Sequence, residues 1–339
     1  MPSRLRAIPA GVLLVAAGTF GLLAVLAVLG RAFGGPPEVP LPERIPRPPD
    51  YAKPLGAALS LGPAREDEAY LDAFLRTFTS LTPENAMKWE VVHPARGRWN
   101  FDEADALVDA AVRTRKRVRG HPLVWDQQLP PYAARGDVET MLREHVRTLV
   151  RRYRGRVAQW DVVNEPLEDD GTLTQNPWQR TLGERWIDVA FATARAADPE
   201  AQLFLNEIGA ERGVKFSALV ALARRLRDRG VPIDGIGLQN HTTSGNFPSR
   251  EVLAEDLAAI GKLGLEAEIT EMDVEGASPR AYAAAARACA DAPNCTGLTV
   301  WGVTDRWSWI GEDKRALPFD AAGRAKPALR ALTGPLRRR

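Results

Sequence analysis

From about residue 55 onward, short β-branched or apolar runs alternate with longer stretches of helical periodicity, and this alternation narrows the fold more than any single motif. The strand candidates are Leu55–Leu59, Phe78–Leu81, Arg117–Arg119, Ala158–Val163, Gln202–Leu205, Gly235–Leu238, Glu266–Ile269 and Leu298–Trp301. Helical patterns such as Asp102–Thr114, Glu139–Tyr153, Trp186–Ala197, Val214–Arg229 and Arg250–Leu263 separate them. Asp102 starts one helix, and Gly230 and Gly264 follow two others, as start and stop signals require. Eight strand–helix steps over about 280 residues predict one α/β domain closed as a (β/α)8 barrel. An open doubly wound sheet is the rival, but no Gly-x-Gly-x-x-Gly loop opens a helix after the first strand.

The polar residues gather where these strands stop. The second strand runs into Glu84, Asn85 and Lys88, the third into His121 and Trp125, and the fourth into Asn164 and Glu165. The fifth ends in Asn206 and Glu207, the sixth in Gln239, Asn240 and His241. The seventh ends in Glu271 and Asp273, the eighth in Trp301 and Asp305. The carboxyl rim is where barrel enzymes place their chemistry. Glu165 and Glu271 both follow strongly apolar strands. Either alone is as readily an arginine's salt-bridge partner, but facing one another they suit cleavage of a glycosidic bond. One carboxyl protonates the departing oxygen while the other attacks, or activates water, at the sugar carbon; that chemistry requires no metal or cofactor. Glu165 needs an apolar surround or a nearby carboxylate to hold a proton, whereas Glu271 must stay ionised, and His241 with Asp273 could orient it through hydrogen bonds. Trp125, Trp301 and Trp309 are candidate platforms for apolar sugar faces, with core filling as the alternative for any one ring.

Other chemistries fit less well. The 339 residues carry 45 Lys plus Arg against 43 Asp plus Glu, so no basic excess points to nucleic acid. Four scattered His give no His-Glu-x-x-His pattern, no Gly-x-Ser-x-Gly elbow is present, and the last two strands lack glycine-rich phosphate loops.

The N-terminal 54 residues differ in kind. Ala10 to Gly30 is apolar apart from Thr19, long enough as a helix to cross a bilayer core, and Arg4 and Arg6 precede it. Residues 1–33 therefore read as a signal anchor, with a cleaved signal peptide as the alternative; either way the rest is exported. Residues 34–54 hold eight prolines, which predicts an extended polyproline spacer. Cys289 and Cys295 are the only cysteines, and in an exported chain they predict a local disulfide.

Six segments together resemble glycoside hydrolase family 10, the endo-1,4-β-xylanases. They are Asn85-Ala-Met-Lys-Trp, Arg119-Gly-His-Pro-Leu-Val-Trp, Trp160-Asp-Val-Val-Asn-Glu, Gly237-Leu-Gln-Asn-His, Ile269-Thr-Glu-Met-Asp and Thr299-Val-Trp-Gly-Val-Thr-Asp. The resemblance implies a catalytic domain over residues 55–333, a retaining mechanism and a monomer acting on xylan or a related β-1,4-linked polysaccharide. It implies Glu165 as acid/base, Glu271 as nucleophile, Asn164 as a partner of the sugar 2-hydroxyl, and His241 with Asp273 as support for the nucleophile. Glu84, Asn85, Lys88, His121, Trp125, Gln128, Gln239, Trp301 and Trp309 match substrate-binding residues, and Cys289 and Cys295 fall where many members carry a disulfide. Three positions depart from the family pattern: Ala86 for its usual Glu, Asp126 for its His after the third-strand Trp, and Ile208 for its Tyr after the fifth strand. An ionised Asp126 close to Glu165 would favour the protonated acid, and the Ile208 change would remove an aromatic from the leaving-group side.

Overall fold

A computed structural model describes residues 35–211 and 213–338. Eight parallel strands form the barrel: β1 (Leu55–Leu59), β2 (Ser80–Pro83), β3 (Arg117–Gly120), β4 (Gln159–Asn164), β5 (Gln202–Glu207), β6 (Gly235–Leu238), β8 (Glu266–Glu275) and β9 (Cys295–Val300). Each pairs with its sequence neighbour in this series, and β1 pairs with β9 to close the ring. The short β7 (His241–Thr243) lies outside that ring on the rim, where His241 is in register with Asp273 on the outer end of β8. Helices α1 (Glu68–Thr77), α2 (Asp102–Arg113), α3 (Val138–Arg152), α4 (Arg185–Ala197), α5 (Gly213–Asp228), α6 (Arg250–Gly261), α7 (Pro279–Asp291) and α8 (Pro327–Leu336) surround it.

Local chemistry explains the helix starts. Asp137 accepts from Thr140 N at 3.0 Å to cap α3, and Ser249 accepts from Val252 N at 3.3 Å to cap α6. Asp102, Glu103 and Asp105 place negative charge in the first turn of α2, against the positive end of its dipole. One glycine is required by packing. A Cβ at Gly120 would lie 2.2 Å from the indole of Trp160, its register partner on β4.

Three sequence expectations shift. β2 begins at Ser80 rather than Phe78, because Phe78 N still bonds back to Phe74 O at the end of α1. β8 runs on to Glu275 rather than stopping at Ile269, and β7 pairs with that extension. Polar side chains broke the apolar pattern there, but they are buried in the rim, so the backbone ladder continues past them. The proline-rich run is not a free spacer from Glu38 on: Val39 and Tyr51 are buried in the core cluster, and Tyr51 bridges to Arg337. Its apolar side chains cover the barrel where a spacer would leave them in water.

The apolar run 10–30 lies outside the described residues, among which no helix is long and apolar enough to cross a membrane. Cys289 and Cys295 form a disulfide that ties the last turn of α7 to the start of β9.

Beneath the loops, His145 lies flat against Trp89 at 3.7 Å, and His93 against Trp99 at the same distance. Both histidines are fully buried, and desolvation lowers the pKa of His93 to about 4 and that of His145 well below its ordinary value. Above pH 6.5 both are neutral folded or unfolded. Below it the unfolded chain takes up protons that the folded one refuses, so stability is lost as pH falls toward 4. Glu207 and Asp256, each raised to about 7 chiefly by burial, work in the opposite direction over the same window. A difference between variants isolates the ring stack. The Tm of His145→Phe, relative to the parent, should rise steadily between pH 6.5 and 4.5; a constant gap across that window contradicts this account.

Candidate active site

Glu165 sits one residue beyond β4 with φ of 55°, in the left-handed region that few non-glycine residues occupy. Its N–H donates to Asn206 O at 2.9 Å, which fixes this turn against the end of β5. Four side chains donate to its carboxylate. Trp125 Nε1 and Gln127 Nε2 reach Oε2 at 2.8 and 3.2 Å, and Gln239 Nε2 and Asn164 Nδ2 reach Oε1 at 3.0 and 3.3 Å.

Glu271 lies within β8 and is 4% exposed. Asn206 Nδ2 donates to its Oε1 at 2.6 Å, and His241 Nε2 stands 3.3 Å from Oε2. The same Asn206 amide donates to Asn164 Oδ1 at 2.7 Å, and Thr270 Oγ1 donates to Asn206 Oδ1 at 2.7 Å. One hydrogen-bonded chain, Glu165–Asn164–Asn206–Glu271, therefore joins the two carboxylates across the barrel mouth.

Their surroundings differ. Burial pushes the Glu271 carboxyl up, but His121 and His241 beside it outweigh burial and hold it below the usual range. Burial likewise opposes protonation of His241, yet Asp273, 3.0 Å from Nδ1, and Glu271 raise its pKa to about 10. Trp309 Nε1 donates to Asp273 Oδ2 at 2.6 Å and completes that line of contacts. Against Glu165, by contrast, stand neutral amides and an indole.

Under the pair the barrel interior is charged. Arg119, 1% exposed, bonds both oxygens of Asp161 through Nε and Nη2, and its Nη1 lies 3.0 Å from Glu268 Oε2. Gln159 donates to the same Glu268 oxygen at 2.5 Å. Asp161 Oδ2 is 2.9 Å from His121 Nδ1, which is itself 3.7 Å from Glu271. His121, Asp161 and Glu271 are near enough to share an ion, but Arg119, Asn206 and His241 already engage their oxygens, so the cluster reads as a support.

The other expected residues line the same mouth or its margin. Lys88 is buried with its ammonium 5.0 Å over the Trp125 ring; desolvation lowers its pKa, against the pull of Glu271, Glu84 and Glu165. Glu84, raised by burial, accepts from Ser60 Oγ at 2.7 Å and from exposed Asn85 at 3.4 Å. Trp301 is buried edge-on to His121, whereas Trp309 is 55% exposed beside His241. Gln128 is exposed at φ of 49° and its carbonyl accepts from Glu90 N; the residue that reaches Glu165 is its neighbour Gln127. Half-buried Asp126 is raised by burial and by the negative charges of Glu165 and Glu168. Ala86 is buried and Ile208 half-buried.

Two rim acids serve structure instead. Glu207 is fully buried, accepts from Leu167 N and Ile208 N, and pairs with Lys215 at 3.1 Å. Asp305 accepts from Leu317 N and Lys326. Sequence reasoning passed over Asp161, Arg119 and Gln127, and it placed Asn206 on the rim without giving it a role. A lone Asp in the apolar run of β4 was the available signal for the first two, since a charge inside a buried strand needs a partner.

A closed parallel barrel with two linked carboxylates and indole rings at its carboxyl mouth defines a barrel glycoside hydrolase. The family model for glycosyl hydrolase family 10 matches residues 49–335, and the chain belongs to that family. Endo-1,4-beta-xylanase A of Fusarium oxysporum f. sp. lycopersici is 38% identical over 280 residues, covering 75% of this chain and 85% of its own length. The structure of xylanase 10B from Thermotoga petrophila in complex with xylobiose superposes with a TM-score of 0.78 at 34% identity, over 84% of this chain and 93% of the other. A glycosylated endo-beta-1,4-xylanase from Gloeophyllum trabeum gives a TM-score of 0.79 at 30% identity, over 84% and 96%.

Removing Arg119 strands two buried carboxylates. Arg119→Leu should destabilise the protein by about 3–5 kcal/mol, read as the free energy of denaturant unfolding. A loss under about 1 kcal/mol would mean that Asp161 and Glu268 do not depend on it.

Proposed function

We propose that the chain is a retaining endo-1,4-β-xylanase in which Glu271 is the nucleophile and Glu165 the acid/base. The observation that carries this reading is the linked pair itself. One carboxylate lies against imidazoles that hold it ionised; the other is offered to the open mouth by neutral donors. In the first step a Glu271 oxygen attacks the anomeric carbon and the glycosidic C–O bond breaks. Its electron pair leaves on the departing oxygen, which takes the Glu165 proton. In the second, water attacks the same carbon, gives a proton to Glu165 and frees the Glu271 carboxylate, so the product keeps the β configuration. Asn164, in the chain that links the two, would bond the sugar 2-hydroxyl, the role the family resemblance implies for it. Exposed Trp309, half-buried Trp125 and the ammonium of Lys88 suit the apolar faces and hydroxyls of a xylan chain. The names of the relatives and the xylobiose bound in a neighbour of the same fold support that substrate.

The same reading places the barrel outside the cytoplasm, tethered through residues 10–30. The Cys289–Cys295 disulfide supports export, since such bonds persist in oxidising compartments.

Two measurements test the roles. Glu271→Ala should lower xylan hydrolysis by about four orders of magnitude. Azide should restore turnover of an activated aryl xyloside with an α-configured azide product; parent-like hydrolysis would reject the assignment. His241→Asn removes the cation and donor beside Glu271, so that carboxyl protonates at higher pH. The acid limb of kcat/KM should then move up by about one unit. An unmoved acid limb would remove His241 from this role.

A further inference from the structure

Three of the four donors on Glu165 are fixed in the wall of the mouth. Asn164 and Gln239 are buried and both reach Oε1, and half-buried Trp125 reaches Oε2. The fourth, Gln127, stands exposed on the loop after β3 and donates to Oε2 at 3.2 Å. Each carboxylate oxygen has about two lone-pair directions. Both on Oε1 are filled from the wall, and the indole fills one on Oε2. The direction that Gln127 fills is therefore the one through which Glu165 can exchange a proton with a ligand while the wall stays intact.

We infer that Gln127 is a positioning residue for Glu165, holding Oε2 in the free enzyme and giving way to the leaving-group oxygen of a bound polysaccharide. This rests on Glu165 being the acid/base. An amide suits the exchange: its NH2 donates to a carboxylate and, turned over, its carbonyl accepts from the protonated acid. Asp126 next to it explains why an amide serves better than a fourth carboxylate, because Asp126 already shares its surroundings with Glu165 and Glu168. The charged groups around Glu165 are Lys88 from the loop after β2, Asp126 from the loop after β3 and Glu168 from the loop after β4. Past Gln239 and Asn164 lie Glu271 and His241. Substitution at 127 changes none of these.

The test is the pH dependence of kcat/KM for the full chain and its Gln127→Met and Gln127→Glu variants, on a xylo-oligosaccharide and on a dinitrophenyl xylobioside. Loss of a donor to the charged form favours the proton, so the alkaline limb of Gln127→Met on the oligosaccharide should rise by about half a unit. Gln127→Glu should move it further, with both acid limbs unmoved. On the dinitrophenyl substrate, whose departure needs no proton, the difference between parent and variants should shrink. Alkaline limbs coincident with the parent in both variants overturn the inference. Glu165→Ala separates the two claims. If it loses oligosaccharide cleavage but keeps the dinitrophenyl reaction while the limbs do not move, Gln127 alone is misassigned. If it still cleaves the oligosaccharide, the acid/base reading fails first.

Discussion

A carboxylate buried to the depth of Glu271 stays ionised only where cationic or donor groups replace the water it has lost. His241, held by Asp273, and His121, held by Asp161, face it from either side, with the Asn206 amide between them. Each support has its own support: Asp161 leans on Arg119, and Asp273 on Trp309. The barrel interior is thus organised as alternating charges running up toward the mouth, and the apolar shell of helices excludes water from it. Such a network is costly to disturb at any one member, because each removal leaves a neighbour buried without a partner.

The paired glutamates gain their distinct environments from backbone geometry. Glu271 remains inside a strand that continues to Glu275, so its side chain stays among the interior imidazoles. Glu165 comes after its strand has ended, in a left-handed turn held by Asn206 O, and its neighbours are amides and an indole near solvent. The same asparagine fixes the Glu165 turn through its carbonyl and contacts Glu271 through its side chain. Asn206 is therefore the piece that sets one carboxylate against the other.

Much of this was legible in the chain. The alternation of runs marks all eight barrel strands, and β1 and β6 fall where the pattern puts them, because their residues are apolar on both faces. The rim residues were visible for the same reason: Glu165 and Glu271 end apolar runs where nothing in propensity favours an acid. What stayed hidden depends on partners distant in sequence. Glu207 ends its strand as Glu165 does, but Lys215, the Leu167 amide of the loop after β4 and the amide of the adjoining Ile208 hold it in place. Gln127 was hidden behind Gln128, because side-chain direction in a loop is set by the backbone turn and not by residue type. The proline-rich segment misled for another reason: extended backbone is compatible with solvent or with a wall, and Val39 and Tyr51 decide for the wall.

The closure of the ring by β1 against β9 also has a temporal side. The first strand begins at Leu55 and its partner ends at Val300, so one edge of the sheet waits for almost the whole catalytic chain before it is covered. A polypeptide delivered from its N-terminus must hold that edge, with its unpaired amide and carbonyl groups, until the last strand arrives. Maturation is thereby tied to complete delivery: a product cut short after β8 would present sticky strand edges rather than a smaller working enzyme.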